Sequence, residues 1–463
     1  MHRRLLFLLV PAVCLLLITT TVYLGRDRLT RLPVDLPFQH EAVASASPDP
    51  SAEPATSIAT TTGKAISTPT TAPASPATTS PDAVIIRNGT VLSASRISPY
   101  IDAILDSAST KPPRLQCPTL NTSRYSSLLH DPNGPTSAKS PHHIDYYFAL
   151  DLRNCLSLLP RLLGSIIEAV RFLGPERCAL SIIEGNSPDG TADVLVALRP
   201  FLENLNLTYF FNSSNINPAK GNRIHRLAEL RNLALQPLFD NLDRVSENTT
   251  VLFLNDVAAC TEDLLELALQ RRTLGADMTC AMDWTYAGQD PTFYDVWVAR
   301  TLAGDSFFEV PPDGNWDSAW NLFWNDPSTS SRYHKNLPFQ VFSCWNGATA
   351  IGAAPLLEGL RFRETHGGKD GECAQGEPQI FCKKMWFRGY RKIAVVPTVN
   401  LEYSDDRADQ IKRLKGFTSD LARSQEGEGN KIDWVLEPPE KVKCMPTWDN
   451  QFWRPWNETL RLR

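Results

Sequence analysis

The stretch Cys178-Ala-Leu-Ser-Ile-Ile-Glu-Gly-Asn-Ser-Pro-Asp-Gly-Thr191 decides the fold class of this 463-residue chain. Its apolar first part predicts a buried strand over 178–183, and the strand ends in the polar turn 184–191. A helix is predicted to follow over 192–204. A nearly continuous apolar strand that leads into a helix is typical of a parallel sheet with helices on both faces.

The same alternation of strand and helix extends in both directions along the chain. Further apolar segments predict strands at residues 146–150, 207–211, 251–254 and 278–282. We therefore predict an α/β fold with a mostly parallel central sheet. Ligands in such sheets bind beyond the carboxyl ends of the strands, which directs attention to the polar turns 151–153, 184–191 and 255–256.

The N-terminal region predicts a membrane anchor and a stem ahead of the folded domain. Residues 1–4 form a short basic tail, and the apolar run 5–24 is long enough to cross a bilayer as a helix. Residues 25–115 are assigned to a stem rich in Ser, Thr, Pro and Ala, followed by a lumenal domain over 116–463. A cleaved signal peptide is the alternative interpretation of the apolar run.

Glycosylation motifs and cysteines fit a lumenal domain in the Golgi or the endoplasmic reticulum. The Asn-x-Ser/Thr motifs begin at Asn88, Asn121, Asn206, Asn212, Asn248 and Asn457. Nine cysteines follow Cys14, which lies in the apolar run, and an oxidising compartment would pair many of them. Because nine is odd, at least one stays free or pairs with a lumenal partner chain, and the pairing itself cannot be deduced.

The charge of the chain argues against nucleic acid as a partner. The net charge is −5, and no segment concentrates Lys and Arg in a long run. Phosphate backbones require a dense basic footprint, which this sequence lacks.

Asp256 is the candidate metal ligand, because an acid at the end of an apolar strand is desolvated unless it binds something. The alternative is an aspartate that caps the next turn. The sequence reads Asn255-Asp256-Val257 here and contains no Asp-x-Asp pair, so the expected site for Mn²⁺ or another divalent cation has one carboxylate or takes a second ligand from a distant acid.

The candidate residues for binding a nucleotide-linked donor lie in the polar turns and on the helix after the third predicted strand. They are Arg153, Glu184, Asp189, Arg223, Arg226 and Arg231. An acid at a strand end can hydrogen-bond a ribose or a base, and arginines can bind phosphate through two parallel hydrogen bonds. An acidic turn without a ligand and a solvated helix face are the alternatives.

Two later segments supply the candidates for acceptor binding and catalysis. Trp345 and Asn346 precede a glycine and suit a platform for a sugar ring, although a buried tryptophan is the commoner role. Glu377 and Glu372 are the acids expected near the reacting sugar, with a solvated loop as the alternative.

Taken together, these segments resemble the fungal capsule-associated alpha-1,3-mannosyltransferase family over about residues 143–404. The matching segments are 152–155, 181–191, 223–232, 253–260, 282–284, 342–347, 372–386 and 395–399. The resemblance implies a GT-A-like fold that binds a nucleotide sugar, a GDP-mannose donor, Mn²⁺ and an alpha-linked product on a mannoside acceptor. Because the donor is also alpha-linked, the configuration would be retained.

Gly376 and Lys384 depart from the family pattern, where a Ser and an acid are expected, and they leave the identity of the acceptor open. Retention has two routes, attack by an enzyme carboxylate or attack by the acceptor on the face that the diphosphate leaves. We favour the second route, with the diphosphate as the base. A UDP-sugar-dependent xylosyl- or glucosyltransferase of the same fold, or a non-catalytic glycan-binding or assembly protein, are the alternative functions.

Overall fold

A computed structural model describes residues 84–131, 142–287, 290–366, 371–425 and 431–460 of the chain. Residues 79–463 form one compact unit, and every described residue belongs to it. The predicted tail and anchor, and the predicted stem up to residue 83, lie outside the described residues. No helix in the described ranges has the length and apolar character needed to cross a membrane.

The strands are numbered in chain order. They are β1 Tyr146–Leu152, β2 Cys178–Glu184, β3 Thr208–Ser213, β4 Thr250–Leu254, β5 Met278–Ala287, β6 Asp290–Phe293, β7 Phe339–Gln340, β8 Ala348–Gly352, β9 Ile393–Leu401, β10 Lys441–Cys444 and β11 Phe452–Pro455.

A nine-stranded sheet has the order β3-β2-β1-β4-β8-β5-β9-β7, and β6 pairs with β5 beside this path. The first four strands of this order are parallel, and β5 is parallel to β9. Strand β8 lies between β4 and β5 and is antiparallel to both. The predicted mostly parallel sheet is confirmed, whereas β8 was not predicted because its sequence Ala-Thr-Ala-Ile-Gly has no marked apolar pattern.

The helices are α1 Ala94–Leu105, α2 Leu159–Leu173, α3 Thr191–Asn204, α4 Arg223–Asp240, α5 Thr261–Leu274, α6 Pro327–His334, α7 Ala354–Leu357, α8 Glu377–Phe387, α9 Asp405–Lys415 and α10 Thr418–Arg423.

The helices cover both faces of the sheet, and alternate residues of one strand serve the two resulting cores. In β1, Phe148 belongs to a core with α1, α2, α3 and α5, while Tyr147 belongs to a second core with α4 and α8. Both side chains are fully buried. A strand buried on both faces has the continuous apolar sequence from which the fold class was predicted.

Residues 84–115, which the sequence analysis assigned to the stem, pack against the folded domain. Ile97, Ile101 and Ile104 recur at helical spacing on α1 and are buried against α2. The Asp193 carboxylate accepts hydrogen bonds from the main-chain N–H groups of residues 90, 91 and 92. The chain therefore packs on the domain from well before residue 116, the predicted boundary. A short helix that enters the domain was expected at about residues 100–113, and it lies at Ala94–Leu105.

Three disulfides join distant parts of the domain, namely Cys117–Cys260, Cys280–Cys344 and Cys373–Cys444. The remaining cysteines of this part of the chain, Cys155, Cys178 and Cys382, carry free thiols and are buried. None of the nine cysteines in the described ranges thus presents a thiol at the surface, and a disulfide to a partner chain finds no support among them.

Candidate active site

The carboxyl ends of β1 and β4 meet at the edge of the sheet where ligands are expected. Leu150 in β1 lies opposite Leu254 in β4, so the residues that follow them, Asp151 and the Asn255–Asp256 turn, emerge side by side. This is the edge that the rule for open α/β sheets selects as a binding site.

Arg231, on α4, occupies the centre of this edge. Its Nε donates a hydrogen bond of 2.8 Å to Glu377 Oε1, and its Nη1 donates one of 3.3 Å to Asn255 Oδ1. The same Nη1 is 3.8 Å from Asp151 Oδ1, and the guanidinium lies 4.6 Å from the ring centroid of Trp345. Arg231 is only 6% exposed, so the protein uses its charge to join four elements rather than leaving it free for a ligand.

Carboxylates outnumber cations around Arg231. Burial raises the pKa of Asp151 to about 6, with the charges of Glu377 and Asp256 acting in the same direction and Arg231 opposing. Burial likewise raises the pKa of Asp295 to about 6, although a hydrogen bond from a main-chain N–H and the charge of Arg231 favour its ionised form. The pKa of Arg231 itself is raised, since the surrounding carboxylates outweigh the effect of burial.

Asp256 lies at the solvent-facing edge formed by the loops after β1 and β4, the region that we call the cleft. The residue is exposed to solvent, yet protein surrounds it on most sides, and this partial desolvation raises the pKa of its carboxyl. Arg231 and Arg223 oppose the shift. The carboxylate receives one long contact, 4.0 Å from Cys155 Sγ, and is open toward the solvent.

The turn before Asp256 is held from two sides. Asn255 N donates to Gly347 O at 2.8 Å, and Trp345 Nε1 donates to Asn255 Oδ1 at 3.0 Å. Gly347 has a φ of +81°, and a Cβ there would lie 3.1 Å from Val257, so glycine is required for this close approach. The segment between β7 and β8 thus fixes the position from which Asp256 enters the cleft.

Comparison with known proteins agrees with this geometry. The family model described as cryptococcal mannosyltransferase 1 matches residues 145–384, more than half of the chain. The chain belongs to this family. Residues that build the site, from Asp151 to Glu377, all lie within the matched region.

The relatives of this mannosyltransferase family member include one curated protein and several solved structures. Alpha-1,3-mannosyltransferase CMT1 of Cryptococcus neoformans is 36% identical over 347 residues, 68% of this chain and 72% of the relative. Residues 1–349 of Staphylococcus aureus TarS match with a TM-score of 0.34 and 14% identity, covering 63% of this chain and 67% of that one. PcManGT of Pyrobaculum calidifontis, solved with GDP-Man and Mn²⁺, matches with a TM-score of 0.33 and 13% identity, covering 67% of this chain and 77% of that one.

The predicted family is therefore confirmed, and so is the predicted enzyme class: this chain is a glycosyltransferase of a mannosyltransferase family. At TM-scores this low the two solved structures support no detail of the site.

The predicted donor-binding residues of the mannosyltransferase lie at the strand ends, where several of them build the loops. Glu184 is buried and accepts a hydrogen bond of 2.7 Å from Ser187 N. Asp189 accepts one of 3.0 Å from Leu156 N, which joins the loops after β1 and β2. Arg153 Nε donates to a main-chain carbonyl of the same region at 3.0 Å. Their role in donor binding stays a prediction.

The predicted arginines on α4 face in different directions. Arg223 begins the helix, and its charge acts on Asp256 in the cleft. Arg226 is half exposed and pairs with Glu229 at 3.0 Å on the helix surface. The charges of both Arg223 and Arg231 act on Asp256. Arg231 is buried among carboxylates, whereas Arg223 is not.

The two predicted catalytic acids belong to separate networks. Glu377 holds Arg231, as described above. Glu372 instead accepts hydrogen bonds from Arg363, one of them 2.6 Å long, and lies 3.6 Å from Lys383 Nζ. Although burial opposes ionisation, these hydrogen bonds and charges lower the pKa of Glu372 to about 2. The structure thus brings Glu377 to the cleft edge and ties Glu372 to the loop before α8.

Trp345 and Asn346, the predicted acceptor-binding residues, are both fully buried. Trp345 contacts Arg231 and Asn255, as described above. Asn346 Nδ2 donates to Ala281 O at 2.8 Å, and Asn346 N donates to Asp295 Oδ2 at 2.9 Å. In this conformation both side chains are buried supports of the site. Their contact with an acceptor stays a prediction.

Asp295, Asp283 and Tyr403 were not predicted as site residues, and they form a hydrogen-bonded group around the buried Asp283. Tyr403 Oη donates a hydrogen bond of 2.6 Å to Asp283 Oδ2, and Asp295 N donates to Asp283 Oδ1 at 3.3 Å. Burial and the neighbouring Asp295 raise the pKa of Asp283 well above its ordinary value. The available signal was an acid within the apolar strand β5, at Met282-Asp-Trp284.

No group of three or more His, Cys, Asp or Glu side chains with metal-binding geometry occurs in the described ranges. Asp256 nevertheless fits a divalent cation that takes the rest of its ligands from elsewhere. Its oxygens are the ligand type that Mg²⁺-like ions prefer, and such ions commonly bind through one or two carboxylates together with substrate phosphates and water.

Proposed function

We propose that the chain transfers mannose from GDP-mannose to a mannoside acceptor in an alpha-1,3 linkage, with retention of configuration. Family membership supports mannose as the sugar, and the activity named for the Cryptococcus relative supports the linkage. The observation that carries the proposal is the Asp256 carboxylate, which is exposed to solvent at the carboxyl ends of β1 and β4.

Asp256 would hold a divalent cation such as Mn²⁺, which when bound would neutralise charge on the departing diphosphate. Asn255 is fixed by Arg231 and Trp345, so Asp256 is presented from a rigid turn. Arg223 supplies a second positive charge near Asp256. Together these groups favour the binding of a diphosphate in the cleft.

The transfer breaks the bond between mannose C1 and a phosphate oxygen, whose electron pair leaves with GDP. A bond forms between C1 and the acceptor hydroxyl oxygen, and the proton of that hydroxyl passes to the diphosphate. The acids near the site are poorly placed to attack C1, because Glu377 is bound to Arg231 and Asp295 to the main chain of Asn346. This favours attack by the acceptor on the face that the diphosphate leaves.

We further propose that the domain resides in the lumen of the Golgi or the endoplasmic reticulum, held by an N-terminal anchor. The three disulfides support this proposal, because disulfides generally form and persist in oxidising compartments. Exposed asparagines in glycosylation motifs, among them Asn121, Asn206 and Asn212, also fit such a compartment.

The test measures GDP release from GDP-mannose by the purified chain, with a panel of mannosides, with Mn²⁺ and with EDTA. Mannoside-stimulated release that EDTA abolishes supports the proposal. The variant Asp256→Asn should lose about 100-fold or more of this activity, as the loss of a group acting directly on transition-state charge does. Asp243→Asn, an exposed aspartate after α4, is the matched control and should leave it unchanged.

Two other results would redirect the proposal. Turnover of UDP-xylose or UDP-glucose alone would keep the enzyme class and overturn the donor. A folded protein that binds mannosides and releases no nucleotide from any donor would indicate a glycan-binding or assembly protein of the same fold.

A further inference from the structure

Three tryptophan rings contact one another beside the candidate active site. Trp297 and Trp448 have ring centroids 4.1 Å apart, and Trp316 lies 6.0 Å from Trp448. All three side chains are half-buried, so each packs on the core with one part of its ring and leaves another part at the surface. We call these residues, together with Trp320, the tryptophan cluster.

The cluster is continuous with the site through one short segment. Trp297 follows Asp295 by two residues, and Asp295 accepts a hydrogen bond from Asn346 N. The next residue, Val298, packs against Gly376, which directly precedes Glu377. Two residues of chain span at most about 7 Å, so the tryptophan surface begins beside the acids that surround Arg231.

Folding does not explain the exposure of Trp320. It lies four residues after Trp316 in the same loop and is 81% exposed. Leaving so large an apolar side chain in water forgoes the stabilisation that its burial would give. Among the exposed large apolar side chains of the described ranges, only Ile85 is exposed to a similar degree.

The loop that carries these rings has a defined shape and polar flanks. Gly314 has a φ of +73°, and a Cβ there would lie 2.9 Å from the Trp448 ring, so glycine lets the loop close on the cluster. Asn315 Nδ2 donates to Asp313 Oδ1 at 2.7 Å, which places a planar amide and a carboxylate at the exposed end of the loop. Aromatic faces with a few fixed polar groups are the usual composition of a small-ligand site.

We propose that the tryptophan cluster is a subsite for the acceptor glycan, which binds the sugar units beyond the one that receives mannose. This inference rests on the proposed function, because it assigns the chemistry of the acceptor of that reaction. The C–H face of a pyranose is weakly positive and packs on the negative face of an indole ring, while its hydroxyls reach the polar flanks. An acceptor of several sugar units would contact the cluster while its end unit occupies the site, whereas a single sugar would occupy only the site.

The experiment compares binding of methyl α-mannoside and of a linear mannotetraose to the full-length chain by calorimetry, without a donor. The wild-type protein should bind mannotetraose at least about tenfold more tightly than the monosaccharide. Trp320→Ala should lower the affinity for mannotetraose by about fivefold. Affinity for the monosaccharide should not change. Trp448→Phe keeps an aromatic face in the cluster and should retain most of the affinity.

Trp453→Ala is the matched control, because Trp453 is an exposed tryptophan of β11 outside the loop and should leave both affinities unchanged. Equal binding of the two glycans by the wild type, or an unchanged affinity for mannotetraose in Trp320→Ala, would overturn the subsite. Because no donor is present, these results are independent of nucleotide-sugar turnover. A chain that shows length-dependent binding but no GDP release would therefore keep the subsite and lose the proposed transfer.

Discussion

Arg231 is a buried cation that joins the acids and the metal-site turn of the candidate active site. Its planar guanidinium reaches Glu377 and Asn255 with two different nitrogens, and it lies close to the Trp345 ring. A lysine keeps the charge but offers a single ammonium, which cannot make this set of contacts. The shape of the guanidinium therefore matters as much as its charge.

Arg231→Lys should lower the free energy of unfolding by about 2–4 kcal/mol, because buried carboxylates lose hydrogen-bonded partners. It should also reduce transferase activity, since the Asn255 turn is no longer fixed. Urea unfolding and GDP release measure the two effects. Arg226→Lys, on the surface of the same helix, should change stability by less than about 0.5 kcal/mol. Equal effects of the two substitutions would contradict the central position of Arg231.

Asp151 gives the site a defined pH dependence. The pKa of its carboxyl is about 6 in the folded chain and 3.8 in the reference state, so the folded chain binds more protons between these values. Its contribution to stability is therefore present below about pH 4 and is lost as the pH rises through 6. Asp151→Asn should remove this loss of stability, which the two pKa values place at about 3 kcal/mol above pH 6.

The measurement for Asp151→Asn is the melting temperature of variant and wild type between pH 4 and pH 7. The melting temperature of the variant, relative to that of the wild type, should increase as the pH rises. A constant difference across this range would show that the carboxyl is not desolvated as the structure indicates.

At the scale of the element, α1 is the largest departure from the sequence-based prediction. Residues 41–81 are almost entirely Ala, Ser, Thr and Pro, and the stem assignment was extended from them to residue 115. Ile97, Ile101 and Ile104 are nevertheless buried, and Asp193 binds the main chain just before the helix. An assignment based on average composition places the domain boundary after this helix, because the apolar partner of the helix lies elsewhere in the chain.

Ile101→Ala should therefore destabilise the domain by about 2–5 kcal/mol, as truncation of a fully buried isoleucine does. Urea unfolding measures the change. Ile85→Ala is the matched control, because Ile85 is 82% exposed and its truncation should be nearly neutral. Near-neutral behaviour of Ile101→Ala would mean that α1 belongs to the stem after all.

The strands and the strand-end turns were predicted well because they depend on local sequence. Buried parallel strands have nearly continuous apolar runs, and polar turns at their ends mark the ligand edge. The partners within the site could not be predicted in the same way. Arg231 meets Glu377 across 146 residues of sequence, and Asp295 meets Asn346 across 51. Such pairs are set by the packing of α4, α8 and the segment between β7 and β8.

At the scale of the whole molecule, three disulfides connect the N-terminal, central and C-terminal parts of the domain. Cys117–Cys260 spans 143 residues and ties the chain after α1 to the start of α5. Cys373–Cys444 spans 71 residues and ties the loop before α8 to β10. A cross-link that closes a long loop restricts the unfolded chain strongly.

Cys117→Ala should lower the free energy of unfolding by up to about 5 kcal/mol, the value of the loop-closure model for this separation. Thermal unfolding with and without a reductant measures the effect. The reductant opens this disulfide in the wild type as well, so it should abolish most of the difference between the two proteins. A difference that persists in the reductant would assign the loss to packing rather than to the cross-link.

The excess of carboxylates around Arg231 also has a consequence for protein engineering. Burial disfavours ionised Asp151 and Asp295, so near neutral pH the folded chain would be more stable with neutral side chains there. A library selected for heat resistance alone should accumulate such replacements, and each of them removes a charge that acts on Arg231, the residue that holds the Asn255 turn. Selection for a hardier catalyst must therefore score product formation in every round.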